Sequence, residues 1–344
     1  MLWYEIQNIS DIDSPALILY KERVAENIKQ AKEMVQHVSL LRPHVKTNKI
    51  SEVCSMMMEQ GFTKFKCATI AEAEMLGRIK APDVLLAYQP NGPKIKRLLQ
   101  LVQQYPGTLF SCLVDDADNA KAISDIFSVA NTPINIFIDV NTGMNRTGIQ
   151  PEDAIKLIDY IQTLPALHIK GLHGYDGHIR DVANNERKEK SDGAFEKLVF
   201  IKNAFTEPIT KDWALVAGGS TTFDIHAGRE NIECSPGTFV FWDWGYKNLF
   251  PQLPFEYAAV VISRIISITD NDTICTDLGH KSVAAENPMP RVYFINAPDI
   301  TPLAQSEEHL IAKVPNASAY KVGDVLYGVP VHVCPTIALY ENAW

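Results

Sequence analysis

From about residue 39 to 241, short runs of apolar and β-branched residues alternate with longer stretches in which apolar positions recur every three or four residues. Such alternation predicts strand and helix units repeated around a parallel sheet. Eight strand candidates can be read: "SLLRPHV", "KFKCAT", "VLLAY", "TLFSCLV", "INIFIDV", "LHIKGLHGY", "ALVAGG" and "NIECSPGTFVF". Between them lie helical patterns such as "IAEAEMLGRI" and "PEDAIKLIDYIQTL", the second opened by a proline with acidic residues behind it, as at a helix start. Eight units predict an α/β fold, a closed (β/α)8 TIM-like barrel over residues 12–245. Beyond it the texture changes. "YAAVVISRIISITDNDTICTDLG", "RVYFINA", "HLIAKV" and "KVGDVLYGVPVHVCPTIAL" read as strands separated by turns, without a helix, so residues 246–344 are expected to form a mainly β domain. The opening "YEIQNISDIDSPALILYKERVAENI" predicts a strand before a helix. Periodicity leaves open which domain that strand joins, and whether residues 1–11 go with the second.

Composition narrows the partners. A chain of 344 residues with 46% hydrophobic and 21% charged residues buries a substantial core. No run approaches the roughly 18 apolar residues of a membrane span, and the N-terminus lacks a basic segment followed by an apolar one. A net charge of -9 disfavours nucleic acid, whose phosphates need a basic face, and points to a small-molecule partner. Six cysteines without a CxxC pair read as reduced thiols of a cytoplasmic protein.

In a (β/α)8 barrel the chemistry sits on the face where the strands end. Lys46 follows the first strand candidate, Arg146 the fifth, Tyr175 and His178 the sixth, "GGSTT" at 218–222 the seventh, and "SPGT" at 235–238 closes the eighth. Glycine and hydroxyl residues favour ordinary turns, but loops after strands seven and eight also form phosphate sites in such barrels. A phosphate cradle with a lysine on one rim suggests pyridoxal phosphate, which needs an amine for its aldehyde, an anion pocket and a stacking side chain. "LRPHVKTNK" at 41–49 is a cationic knot in an acidic chain. Arg42 and His44 beside Lys46 are expected to disfavour its ammonium form and leave a nucleophilic amine. A second candidate is "PVHVCPT": His332 and Cys334 are two apart, on one face of a strand, and imidazole with thiolate suits zinc in an open, catalytic site.

The chain resembles the D-threonine aldolase and D-serine dehydratase family, pyridoxal phosphate enzymes of alanine racemase fold. The matching segments are "DSPALILYKERVAENI", "RPHVKTNK", "ATIAEAEMLG", "DVNTGMNRTGI", "GLHGYDGH", "AGGSTTFD", "SPGTFVFWD", "TDLGHKS", "SEEH" and "HVCPT". The resemblance implies a cofactor-bearing barrel, a C-terminal β domain carrying metal ligands, and a homodimer. It implies that Lys46 is the Schiff-base lysine, with His44 at the same site and Arg146 beside the cofactor ring. Tyr175 would stack on that ring, Gly219, Ser220 and Thr221 would hold the phosphate with Gly237 and Thr238, and His332 and Cys334 would ligate a divalent metal, zinc or manganese. The activity implied is a lyase reaction on D-3-hydroxy amino acids. Either dehydration, with Lys46 as base, or aldol cleavage, with His178 or a metal-bound base taking the hydroxyl proton, fits. His-x-Cys is shared with dehydratase members, whereas aldolase members have His-x-Asp. Phe239 stands where the family often has tyrosine. An amino acid racemase, with Tyr246 as second acid or base, and a non-catalytic pyridoxal phosphate-binding protein are the alternatives.

Overall fold

A computed structural model describes residues 2–344. The chain forms two compact units, residues 31–46 with 50–237, and residues 1–30 with 47–49 and 238–344. Its strands in chain order are β1 (Ala16–Leu19), β2 (Lys64–Cys67), β3 (Asp83–Leu86), β4 (Leu109–Val114), β5 (Ile134–Val140), β6 (Leu167–Gly174), β7 (Ala214–Ala217), β8 (Ile232–Cys234), β9 (Ala259–Asp270), β10 (Thr273–Thr276), β11 (Val292–Phe294), β12 (Thr301–Gln305), β13 (Leu310–Lys313) and β14 (Val325–Pro330).

In the larger unit, β2 to β8 make a seven-stranded parallel sheet in sequence order, with helices between successive strands. The alternating texture thus gives the fold class expected, with one correction: the first of the eight candidates is not a regular strand. Leu41 bridges Cys234 of β8 and His44 bridges Lys66 of β2, both parallel, so residues 41–45 close the ring with isolated pairings. The reason is Pro43, which has no N–H to donate and serves only as acceptor for the Lys66 N–H at 2.9 Å. The helices start where side chains can satisfy the first free N–H groups. Thr69 accepts from the Glu72 N–H at 3.1 Å while Glu72 reaches back to the Ala68 N–H at 2.7 Å, and Pro151 opens the helix Pro151–Ile161.

Strand alternation sends every second residue into the barrel, and these stack in layers. Leu85, Leu113, Phe137 and Val216 form an apolar layer in the middle. At the strands' N-terminal ends the Arg42 guanidinium, its Cζ 5.6 Å from the Phe137 ring centre, donates to Glu233 at 2.7 Å and to both oxygens of Asp83 at 2.6 and 3.0 Å. Lys64 also pairs with Glu233. Burial opposes these charges, yet the pairing holds the Glu233 carboxyl below its ordinary range and the Arg42 guanidinium above its own.

The smaller unit carries an antiparallel sheet ordered β11-β14-β9-β10-β13-β12, with β1 also on β9. The opening strand therefore joins this sheet, in register from Ala16 with Ile262 to Leu19 with Ala259. Two short helices depart from the all-strand expectation. Trp244–Leu249 is capped by Asp243, which accepts from the Tyr246 N–H at 2.8 Å. Val333–Ile337 begins just past β14, and Pro335 sits in its first turn, where a missing N–H costs nothing. Among the described residues no helix is long and apolar enough to cross a membrane, and the six cysteines are free.

Candidate active site

Tyr175 directly follows β6 at the C-terminal end of the parallel sheet. Its ring has Arg146 on one side, with Cζ 5.0 Å from the ring centre, and Lys66 on another, with Nζ at 5.9 Å. Arg146 stands in the loop after β5, which Asn141 shapes: its side-chain oxygen accepts from the Gly143 and Asn145 N–H groups at 3.0 and 3.2 Å. Asp115 fixes the loop's far end by accepting from the Gly148 N–H at 2.8 Å. Asp139, Asn141, Arg146, Thr147 and Tyr175 line a small cavity there.

The 218–222 loop meets the same ring. A Cβ on Gly219 would lie 2.8 Å from Tyr175 Cε2, so glycine is what lets loop and ring touch, and Gly218 has a φ of +78° with the His226 ring against it. Behind the loop, buried Asp176 accepts from Thr222 Oγ1 at 2.8 Å and pairs with His226 at 2.8 Å. Burial pushes the Asp176 carboxyl up, but His226 and Thr222 outweigh it and hold it below its ordinary value. Fully buried Arg187 donates to the Thr221 carbonyl at 2.6 Å and forks onto Asp224. The Gly237 N–H reaches Ser220 Oγ at 3.4 Å. The hydroxyls of Thr221 and Ser235, 2% and 3% exposed, find no protein partner, a cost of about 1–3 kcal/mol each unless something else bonds them. The chemistry of this rigid loop, with small residues and waiting hydroxyls, fits a phosphate.

Beneath Tyr175 lies a second charged layer. Lys66 Nζ is 3.4 Å from His173 Nε2, and His173 Nδ1 is 2.7 Å from Asp139. Burial, helped by Lys46, pulls the Lys66 ammonium down to about 7, and burial with Lys66 lowers the His173 ring below its ordinary value and the His44 ring well below it. Lys46 follows on the closing segment, its N–H directed at His44 Nδ1 at 3.4 Å. The expected tuning of Lys46 by Arg42 is corrected here: Arg42 belongs to the opposite layer and its charge is taken up by two carboxylates. His178 is exposed and lies against Gly143, near Lys197, in a surface groove rather than against the Tyr175 ring.

In the smaller unit, His332 precedes the helix Val333–Ile337 and Cys334 lies in its first turn, so helix geometry and not strand alternation brings the pair together. His332 hydrogen-bonds Cys334, and its Nδ1 meets Glu286 at 2.5 Å. Thr47 Oγ1, from the residue after Lys46 in sequence, and Thr238 Oγ1 lie 3.2 and 3.5 Å from Cys334 Sγ. Burial opposes both charges, but the partners raise the His332 imidazolium to about 9 and hold the Cys334 thiol below its ordinary value. Among the described residues no three His, Cys, Asp or Glu side chains gather as a metal cage. One imidazole oriented by a carboxylate plus one thiolate fits an open metal site, not a closed structural one.

Residues 20–241 match the family described as "Alanine racemase, N-terminal domain". The chain belongs to this family. Residues 258–344 match a second family, "Putative serine dehydratase domain". The chain is 26% identical to D-threonine aldolase of Arthrobacter sp, over 97% of this chain and 89% of that protein. It is also 26% identical to D-threo-3-hydroxyaspartate dehydratase of Delftia sp., over 74% and 68%. The crystal structure of D-threonine aldolase from Filomicrobium marinum superposes with a TM-score of 0.88 at 26% identity, covering 97% of this chain and 91% of that one. A cysteine-to-alanine mutant of D-threo-3-hydroxyaspartate dehydratase in the metal-free form superposes with a TM-score of 0.79 at 20% identity, covering 96% of this chain and 94% of that one.

The alanine racemase family is one of pyridoxal phosphate-dependent enzymes, and its barrel explains what sequence reading overlooked here. Lys66, Asp139 and His173 are buried polar residues on β2, β5 and β6. The signal was a charge in phase with the barrel interior: "KFKC" puts Lys64 and Lys66 on one face.

Proposed function

We propose that the protein is a pyridoxal phosphate- and divalent metal-dependent lyase acting on D-3-hydroxy amino acids. The observation that carries this reading is the Tyr175 ring packed against Gly219, beside the two buried, unpartnered hydroxyls of Thr221 and Ser235. The loop 218–222, with Gly237, would hold the phosphate, Tyr175 and Arg146 would orient the ring, and Lys46 would supply the amine. When bound, pyridoxal phosphate supplies an electron sink for a carbanion at the substrate's α-carbon. The Lys46 amine takes or returns the proton at that carbon. His332 and Cys334 would hold zinc or manganese with positions left for water and substrate, and such an ion polarises a hydroxyl oxygen. Free cysteines fit a reducing, cytoplasmic compartment, and a homodimer is the assembly implied by the family resemblance.

The relatives' names include both aldol cleavage and dehydration, and Cys334 leans towards the second. Incubation of the pyridoxal phosphate-loaded protein with D-threonine and D-serine, with zinc or manganese and with chelator, decides. Pyruvate and 2-oxobutanoate with ammonia mean dehydration, and glycine with acetaldehyde means cleavage. No product of either kind from either D-enantiomer refutes the proposal.

A further inference from the structure

Lys66 is a buried amine that the proposed chemistry leaves without a task. It is 3% exposed, and its contact is a ring nitrogen, where Arg42 and Lys64 at the other end of the barrel meet carboxylates. His44 pairs with Lys66 across the closing segment, and the Val45 N–H donates to the Lys66 carbonyl at 2.8 Å. Lys46 lies two residues past His44, in the turn 45–48 that follows the closing pairing, and among the neighbouring charges its own acts most strongly on the Lys66 ammonium.

We propose that Lys66 is a positioning residue for Lys46: its amine, at the end of the His173–Asp139 chain, takes the proton that Lys46 must release before it can bond to pyridoxal phosphate. The inference rests on Lys46 being the cofactor lysine. In the step, the Lys46 ammonium gives one proton to Lys66 Nζ, the Lys46 lone pair bonds the aldehyde carbon, and the aldehyde oxygen leaves as water. Lys66 is left as an ammonium, balanced through the His173 ring towards Asp139. His44, His173 and Tyr175 lie around it, the charges of Lys46, Asp139 and Asp176 act on it, Arg42 acts on it from the opposite layer, and Arg146 acts on His173. Burial first, then Lys46 and Arg42, lower its hold on a proton, while Asp139 and Asp176 raise it, leaving it balanced at about 7.

The test follows covalent capture of pyridoxal phosphate by the cofactor-free protein, from its absorbance, across neutral pH. The wild-type rate should rise with an inflection at about 7. Lys66→Met and Lys66→Arg should each slow capture at neutral pH by about 10–100-fold and lose that inflection. A Lys66→Met rate and profile equal to wild type overturns the inference. So does fast capture by Lys66→Arg with slow capture by Lys66→Met, because a fixed charge would then suffice. Asp139→Asn, which removes a group favouring the Lys66 ammonium, should move the inflection to lower pH; an unmoved one overturns the proposal even if Lys66→Met fails to fold. Peptide mapping of the captured cofactor to a lysine other than 46 refutes the proposed function instead.

Discussion

The same barrel holds two charged layers, separated by the apolar layer of Leu85, Leu113, Phe137 and Val216. At the strands' N-terminal ends Arg42 and Lys64 each touch a carboxylate, and Glu233 receives both. At the C-terminal ends Lys66 meets the His173 and Tyr175 rings, and Asp139 lies one side chain further away. Burial opposes charge in both. In the first layer the opposite charges close the balance, so Arg42 and Glu233 stay ionised over a wide pH range. In the second the balance is open, so the Lys66 ammonium is pulled down to about 7 and the His173 ring below its ordinary value. Inward-facing cations on neighbouring positions of one chain thus serve structure or chemistry according to whether a carboxylate is within contact.

The largest effect is expected from breaking the closed layer. Arg42→Met leaves buried Glu233 and half-buried Asp83 beside fewer cations and should cost about 3–5 kcal/mol of stability by urea unfolding. A loss below about 1 kcal/mol would mean the two layers do not differ in kind. The open layer is sharpened by pH. The Lys66 ammonium is lowered in the fold from its ordinary 10.5 to about 7, so between those values the unfolded chain binds the extra proton. Wild-type stability relative to Lys66→Met should therefore rise with pH across that window, by up to about 1.4 kcal/mol per pH unit, and a falling difference contradicts the assignment. The smallest effect concerns the phosphate loop. Thr221→Val should weaken pyridoxal phosphate binding about tenfold, measured by equilibrium titration, while raising the stability of the cofactor-free protein by about 1 kcal/mol, because it removes a buried hydroxyl without a protein partner.

Much of this was legible in the sequence, for reasons tied to particular residues. Thr69 with Glu72, and Pro151 before acidic residues, are local chemistry, and they mark helix starts at which the structure agrees. The glycines at 218 and 219 followed an apolar strand, so the loop lay where a barrel places chemistry. The first strand was overestimated because periodicity does not register that Pro43 removes a ladder donor. Three residues cannot distinguish a strand from the first turn of a helix, so His332 and Cys334 were given the right proximity by the wrong geometry. Lys66, His173 and Asp139 lie on three separate strands, and their meeting becomes visible only when the barrel brings those strands together.

The central claim is that position 46, and no other lysine, presents the amine to the aldehyde of pyridoxal phosphate. Reducing the loaded protein with borohydride and mapping the phosphopyridoxyl mass by peptide sequencing tests it directly. The account predicts the modification on Lys46 alone, in the peptide that continues through Thr47. A modification on Lys66 or any other lysine, or none in a protein that turns over D-amino acids, would contradict it.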